Sequence, residues 1–310
     1  MSQSLAFVFP GQGSQQVGML AALAESHPII KATFAEASEV LGYDLWALVQ
    51  DGPAEDLNQT DRTQPALLTA GVSLWRLWQE QGGATPVVLA GHSLGEYTAL
   101  VCSGAMSLAD GVNLVKLRGE FMQQAVPEGT GAMAAILGLA DDAIEAACEA
   151  AAQGDVVSPV NYNCPGQIVI AGEKAAVERA IAQCKESGAK RAIPLPVSVP
   201  SHCALMKPAA EKLALELAKI DIRLPSIPVM QNVSAAVPET VEALKDNLLA
   251  QLYSPVLWTK SVQAMVEQGI EATVECGPGK VLSGLNKKVH KPLSVVAINE
   301  PAGLEKALGQ

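Results

Sequence analysis

Three short apolar runs in this chain each stop at a glycine-rich loop, and that pattern constrains the fold more than any other feature. Leu5-Ala6-Phe7-Val8-Phe9 leads into Pro10-Gly11-Gln12-Gly13-Ser14-Gln15. Pro86-Val87-Val88-Leu89-Ala90 leads into Gly91-His92-Ser93-Leu94-Gly95. Ala272-Thr273-Val274-Glu275-Cys276 leads into Gly277-Pro278-Gly279. Such runs read as buried strands of a parallel sheet, covered by helices on both faces. Helical periodicity fills the intervals at 19–41, with Pro28 as a break or a fresh start, and at 64–81, 96–102 and 108–125. Aromatic residues are only 4% of the chain, so its core must be mostly Ala, Leu, Val and Ile, which suits helices packed on such a sheet.

A different rhythm begins after Pro127. Strand-like 132–137, helical 141–152, strands 156–162 and 167–171, helix 175–187 and strand 191–199 follow in turn. This β-α-β-β-α-β order is the ferredoxin-like pattern. Beyond it, 203–220, 241–252 and 262–267 read as helical and 228–230, 272–276 and 294–298 as strands that return to the first sheet. The expected fold is α/β: an α/β-hydrolase-like catalytic core from 1–126 and 201–310, with 127–200 inserted as a ferredoxin-like subdomain.

The formal net charge of −11 argues against nucleic-acid binding, which needs a basic face. The six cysteines form no C-x-x-C pair and read as reduced core residues of a cytosolic protein. The first residues lack a signal-peptide pattern, and no apolar run is long enough to cross a membrane. A cytoplasmic location is expected.

Gly91-His92-Ser93-Leu94-Gly95 is a G-x-S-x-G sequence between a predicted strand and a predicted helix. A sharp strand-to-helix turn strains the serine and exposes its hydroxyl, and side chains at the flanking glycines would collide with backbone. The following helix aims its free N–H groups at the same place, so the Leu94 N–H is the natural oxyanion donor. Ser93 is therefore the candidate nucleophile; the plainer alternative is a turn with Ser93 as helix cap. A serine needs a base. Of the four histidines, His27 precedes Pro28 as a surface or cap residue, and His92 adjoins Ser93 at a turn that points neighbouring side chains apart. His202, past a predicted strand end, is favoured over His290, which stays open.

Arg118 falls in the apolar arc of the 108–125 helix with Leu114, Phe121 and Ala125. A buried guanidinium needs an anionic partner, either a protein carboxylate or a carboxylate on the substrate.

Together these segments resemble the malonyl-CoA:acyl-carrier-protein transacylases. The resemblance is carried by Phe9-Pro10-Gly11-Gln12-Gly13-Ser14-Gln15, Gly91-His92-Ser93-Leu94-Gly95-Glu96-Tyr97, Arg118 and Pro200-Ser201-His202. Asn161-Tyr162-Asn163-Cys164-Pro165-Gly166-Gln167 and Glu275-Cys276-Gly277-Pro278-Gly279 extend it across essentially the whole chain. The resemblance implies a malonyl ester on Ser93, His202 as base, an oxyanion hole from the Gln12 and Leu94 N–H groups, and Arg118 on the malonyl carboxylate. It further implies that the Gln251 backbone carbonyl orients His202, that no cofactor or metal takes part, and that the enzyme is a monomer. Malonyl-CoA and a pantetheinylated acyl carrier protein would be the substrates, in a ping-pong transfer supplying fatty-acid synthesis.

Carrier proteins of this kind are acidic, as is this chain, so docking would use local positive charge. Lys190-Arg191 and Lys287-Lys288 are the candidate patches, against the alternative of ordinary solvated surface. Two rival readings remain. A serine hydrolase would place its histidine late in the chain, at His290, and fits poorly with the insert and the early Gly-Gln-Gly loop. A docking module with a decayed site would not be acylated at all.

Overall fold

The computed structural model describes residues 4–197 and 199–309. Among these, five strands form a parallel sheet in the order β7-β2-β1-β8-β9. They are β1 (Leu5–Phe9), β2 (Val88–Gly91), β7 (Val229–Met230), β8 (Ala272–Glu275) and β9 (Ser294–Ala297). Side chains alternate between its two faces as strand geometry requires. Phe7 packs edge-on against Trp75 and Trp78, with ring centroids 5.2 and 5.1 Å away. Ala6 and Val8 join a second cluster, around Trp258, on the other face. Both faces are thus covered, which is why these strands read as unbroken apolar runs.

Register decides where the glycine loops go. Phe9 pairs with Gly91 and Val8 with Glu275, so β1, β2 and β8 stop at the same level. Their loops crowd together at one sheet edge. A side chain at Gly91 would place its Cβ 1.8 Å from the Gly95 carbonyl carbon, and one at Gly95 would stand 2.0 Å from the Phe9 oxygen.

The remaining strands, β3 (Gly131–Leu137), β4 (Val157–Cys164), β5 (Gln167–Glu173) and β6 (Arg191–Pro194), form an antiparallel sheet ordered β4-β5-β3-β6. This is the ferredoxin-like order for a β-α-β-β-α-β unit. The helices Asp141–Ala152 and Lys174–Glu186 bury one face of it. On the other face, Met133, Val160 and Val169 pack with Cys203 from the parallel-sheet part. The two sheets are also laced by main chain: Val256 N–H donates to the Val160 carbonyl at 2.9 Å, and Tyr162 N–H to the Val256 carbonyl at 3.0 Å.

Several expectations shift. The 191–199 strand ends at Pro194, because Pro194 and Pro196 lack N–H donors for a ladder; Ser198 lies outside the described residues. The 203–220 helix is a 3₁₀ turn, Ala204–Met206, followed by Lys207–Leu217. The 64–81 helix starts a turn earlier, as Thr60–Glu80, and tolerates Pro65 inside. Helices at Leu45–Asp51, Ala54–Leu57, Val281–Val289 and Pro301–Leu308 were not expected from periodicity.

Candidate active site

Ser93 sits between β2 and the Leu94–Cys102 helix with φ 51° and ψ −110°, a left-handed conformation that non-glycine residues rarely adopt. It occupies the cap position, yet its side chain makes no cap hydrogen bond. The hydroxyl instead lies 2.8 Å from His202 Nε2 and 3.3 Å from Arg118 Nη2.

His202 is buried and also has a positive φ, 64°. Its ring Nδ1 lies 2.6 Å from the Gln251 backbone oxygen. A carbonyl only accepts, so Nδ1 carries the proton and Nε2 turns its lone pair to Ser93. Burial, helped by the Arg118 charge, pushes the His202 pKa down to about 3, so the ring is a neutral base at physiological pH. His290 follows the Val281–Val289 helix and lines a separate cavity with Gly269 and Leu293. His92 turns away from Ser93, its Nε2 lying 2.8 Å from Asn163 Oδ1 on β4.

Arg118 projects from the Leu108–Ala125 helix and is 1% exposed. Nη1 donates to Gln64 Oε1 at 2.8 Å and Nη2 to Gln251 Oε1 at 2.9 Å. Nε finds no partner. Among the described residues, no carboxylate lies within ion-pairing distance of this guanidinium. Gln12, Ser93, Leu94, Arg118, Met133 and His202 line one cavity of about 170 Å³ between the two sheets. The N–H groups of Gln12 and Leu94 find no acceptor among the described residues. The arrangement provides a hydroxyl, a neutral base, unengaged backbone donors and an unpaired buried cation within one small space. No group of three or more His, Cys, Asp or Glu able to hold a metal occurs among the described residues.

Four further residues build the site without a role assigned to them from the sequence. Asn232, just past β7, accepts the Ser93 N–H on Oδ1 at 2.7 Å and donates from Nδ2 to the Gly91 carbonyl at 2.6 Å. Glu96 is buried beneath the turn and accepts from Asn232 N–H at 2.7 Å and from Gln251 Nε2 at 3.1 Å. Burial raises its carboxyl to about 7, against the pull of those hydrogen bonds and of Arg118. Gln64 anchors Arg118, and Asn163 holds the His92 ring. Glu96 and Asn163 fall inside segments that carry the resemblance but received no role from it, while Gln64 and Asn232 stand in no motif; Asn232 is a polar residue just past a strand end.

A family model described as "Acyl transferase domain" matches residues 6–300. The malonyl CoA-acyl carrier protein transacylases of Salmonella typhimurium and Escherichia coli K12 are each 64% identical to the chain; the first covers 98% of it and 99% of the relative, the second 98% of each. A crystal structure of an acyl carrier protein S-malonyltransferase from Vibrio cholerae superposes with a TM-score of 0.96 at 63% identity, covering 98% of this chain and 99% of that one. A malonyl-transacylase in complex with its type II PKS acyl-carrier protein gives 0.98 at 58% identity, covering 99% of each.

Proposed function

This chain belongs to the acyl transferase domain family, and from that premise we propose that it carries malonyl groups from malonyl-CoA to the pantetheine thiol of acyl carrier protein. His202 Nε2 takes the Ser93 proton as Oγ attacks the thioester carbonyl. The oxyanion forms against the Gln12 and Leu94 N–H groups. Collapse expels the CoA sulfur, which receives the proton from His202, and leaves malonyl-Ser93. The carrier thiol then gives its proton to His202 and attacks the ester, and Ser93 regains its hydroxyl. An oxyanion donor of this kind is worth about 3–4 kcal/mol in the barrier.

The observation that carries the malonyl reading is Arg118: a buried guanidinium, 3.3 Å from Ser93 Oγ, with no carboxylate in ion-pairing distance among the described residues. A malonyl group supplies that carboxylate, and an acetyl group does not.

The basic pairs support a carrier-docking face. Leu137 pairs with Gln167 on one side and Arg191 on the other, which brings Lys190 and Arg191 to the Gln167 end of the small sheet. Lys288 Nζ reaches Gln167 Oε1 at 3.5 Å from the parallel-sheet side, while Lys287 is tied to the Leu293 carbonyl. Gln167 lines a cavity of about 260 Å³ that shares Gln12, His92 and Asn161 with the Ser93 cavity. The face thus opens toward the nucleophile. All six cysteines are unpaired, which fits a reducing cytoplasm; similarity to malonyl CoA-acyl carrier protein transacylases supports a role in fatty-acid synthesis there. No helix among the described residues is long and apolar enough to cross a membrane.

The test is intact-mass measurement after mixing with malonyl-CoA, then with pantetheinylated carrier protein. The wild type should gain one malonyl group and pass it on; Ser93→Ala should gain none. Absence of the adduct, or its loss to water without transfer, would overturn the reading.

A further inference from the structure

We infer that Asn232 is a positioning residue for the reaction: its carboxamide continues the parallel sheet by one residue alongside β2 and thereby holds Ser93 in its attacking conformation. The inference rests on the acyl-Ser93 reading above.

In a parallel ladder, one residue's N–H and C=O bond the carbonyl and the N–H that flank the residue opposite. β2 and β7 pair in this manner at Leu89 with Val229 and Ala90 with Met230. β7 ends there, and the β2 chain must turn sharply at Ser93. That turn leaves the Gly91 carbonyl and the Ser93 N–H without a strand partner. Asn232 supplies both from one side chain, Nδ2 to the Gly91 oxygen at 2.6 Å and Oδ1 from the Ser93 nitrogen at 2.7 Å. The two groups flank His92, as they would flank the residue opposite a true ladder partner.

The carboxamide is itself held. Asn232 is 2% exposed. Its backbone N–H donates to Glu96 Oε2 at 2.7 Å, and its carbonyl accepts from Leu257 N–H at 3.0 Å. Its orientation is fixed by chemistry, because Gly91 offers only an acceptor and Ser93 only a donor. A residue at φ 51° persists only where its surroundings over-determine it. Fixing the peptide plane before Ser93 fixes the direction of its Cα–Cβ bond, and with it the 2.8 Å contact to His202. Arg118 makes no hydrogen bond to Asn232; the link between them runs through Gln251, whose Nε2 stands 3.4 Å from Asn232 Oδ1 and whose Oε1 holds Arg118.

N232D separates the two hydrogen bonds. Its ionised carboxylate still accepts from Ser93 N–H but faces the Gly91 carbonyl with a second acceptor; once protonated, it donates there again. Single-turnover acylation is followed with malonyl-CoA and acetyl-CoA between pH 5 and 8, each rate divided by that of the wild type. The charged or titratable groups facing the position are Glu96, Arg118 and His202; the ratio removes their titration in the wild type, and N232D/E96Q measured against E96Q removes the coupling of the new carboxylate to Glu96. At pH 8 the maximal rate should fall about a hundredfold for both acyl groups, as for a misplaced reacting atom, with half-saturating concentrations within about threefold. Toward pH 5 the ratio should recover at least about tenfold. Asn232→Ala should show the rate loss at every pH without recovery. An unchanged rate in N232D, a loss confined to malonyl, or a loss that appears in half-saturation overturns the inference. So does failure of both variants to fold, which would make Asn232 a prop of the whole domain. A wild type that never acquires the acyl group overturns the functional reading instead.

Discussion

Replacing Arg118 by alanine tests the substrate assignment most directly. In the wild type the guanidinium is anchored by Gln64 and Gln251 at 2.8 and 2.9 Å, and Nε is free. Both anchors are neutral oxygens, so no carboxylate among the described residues pairs its charge; on the proposed reading the malonyl carboxylate does. Removing one member of a buried ion pair costs about 3–5 kcal/mol, because the other charge is left without compensation. At about 1.4 kcal/mol per decade, that corresponds to a fall of roughly 10²–10⁴ in kcat/KM for malonyl-CoA. Acetyl-CoA has no carboxylate to strand, and the variant no longer leaves a desolvated cation beside its methyl group. Its kcat/KM should stay within about threefold or rise. The assay is intact-mass acylation of Arg118→Ala by each thioester over a concentration series, with circular dichroism confirming a folded protein. Equal losses for the two substrates would refute the argument, since they would make Arg118 a support of the Ser93–His202 pair and not a carboxylate receptor.

Three further outcomes follow from the same geometry. Gln251→Ala keeps the backbone carbonyl that orients His202 but removes the Oε1 that anchors Arg118, so malonyl acylation should fall at least about tenfold more than acetyl acylation in the same mass assay. Stability against pH carries two opposed contributions. His202, lowered to about 3 from 6.5, stabilises fully above 6.5 and loses that as pH falls toward 3. Glu96, raised to about 7 from 4.5, acts in reverse: its contribution is present below 4.5 and lost as pH rises through 7. The two offset each other between 4.5 and 6.5, so E96Q should make Tm fall more steeply than wild type on acidification across that window; parallel Tm curves would contradict this. Reversing charge at Lys190, Arg191, Lys287 and Lys288 together should raise KM for the carrier protein about tenfold at low salt, with the difference shrinking as salt is added; an unchanged KM would remove the docking face.

Local motifs were legible and cross-chain supports were not. Ser93 stands out because glycines two residues either side, between a strand and a helix, state the turn's requirement locally. Its neighbours do not. Asn232 and Glu96 meet at a separation of 136 residues, and Arg118 meets Gln64 at 54. Those contacts follow from which strand lies beside which, and no local pattern encodes that. The same holds for the Val281–Val289 helix. Its cap residue, Lys280, makes no side-chain bond, because Glu275 on β8 accepts from the Leu282 and Ser283 N–H groups at 3.0 and 2.7 Å. A helix capped from a distance shows no local start signal. The Leu45–Asp51 helix did show one: Asp44 accepts from Ala47 N–H at 2.9 Å and Gly52 follows the end.

The orienting group of His202 says something about the chemistry the site can manage. Where a triad uses an aspartate, the carboxylate stabilises the imidazolium that forms. Here Nδ1 meets a neutral carbonyl and the nearby charge is Arg118, so both burial and charge disfavour the protonated ring. Such a base holds a proton poorly and should return it quickly. That suits a leaving group that is stable as an anion. Thiols ionise near 8.5, far below the amines or alkoxides released from amides and esters, so expulsion of a thiolate asks little of the acid. It also suits a reaction whose donor and product are both pantetheine thioesters, where the barrier must be low in either direction. Amide cleavage needs a committed imidazolium to protonate the departing nitrogen. The carbonyl at Gln251 therefore favours thioester exchange over peptide hydrolysis through the same Ser93 and His202.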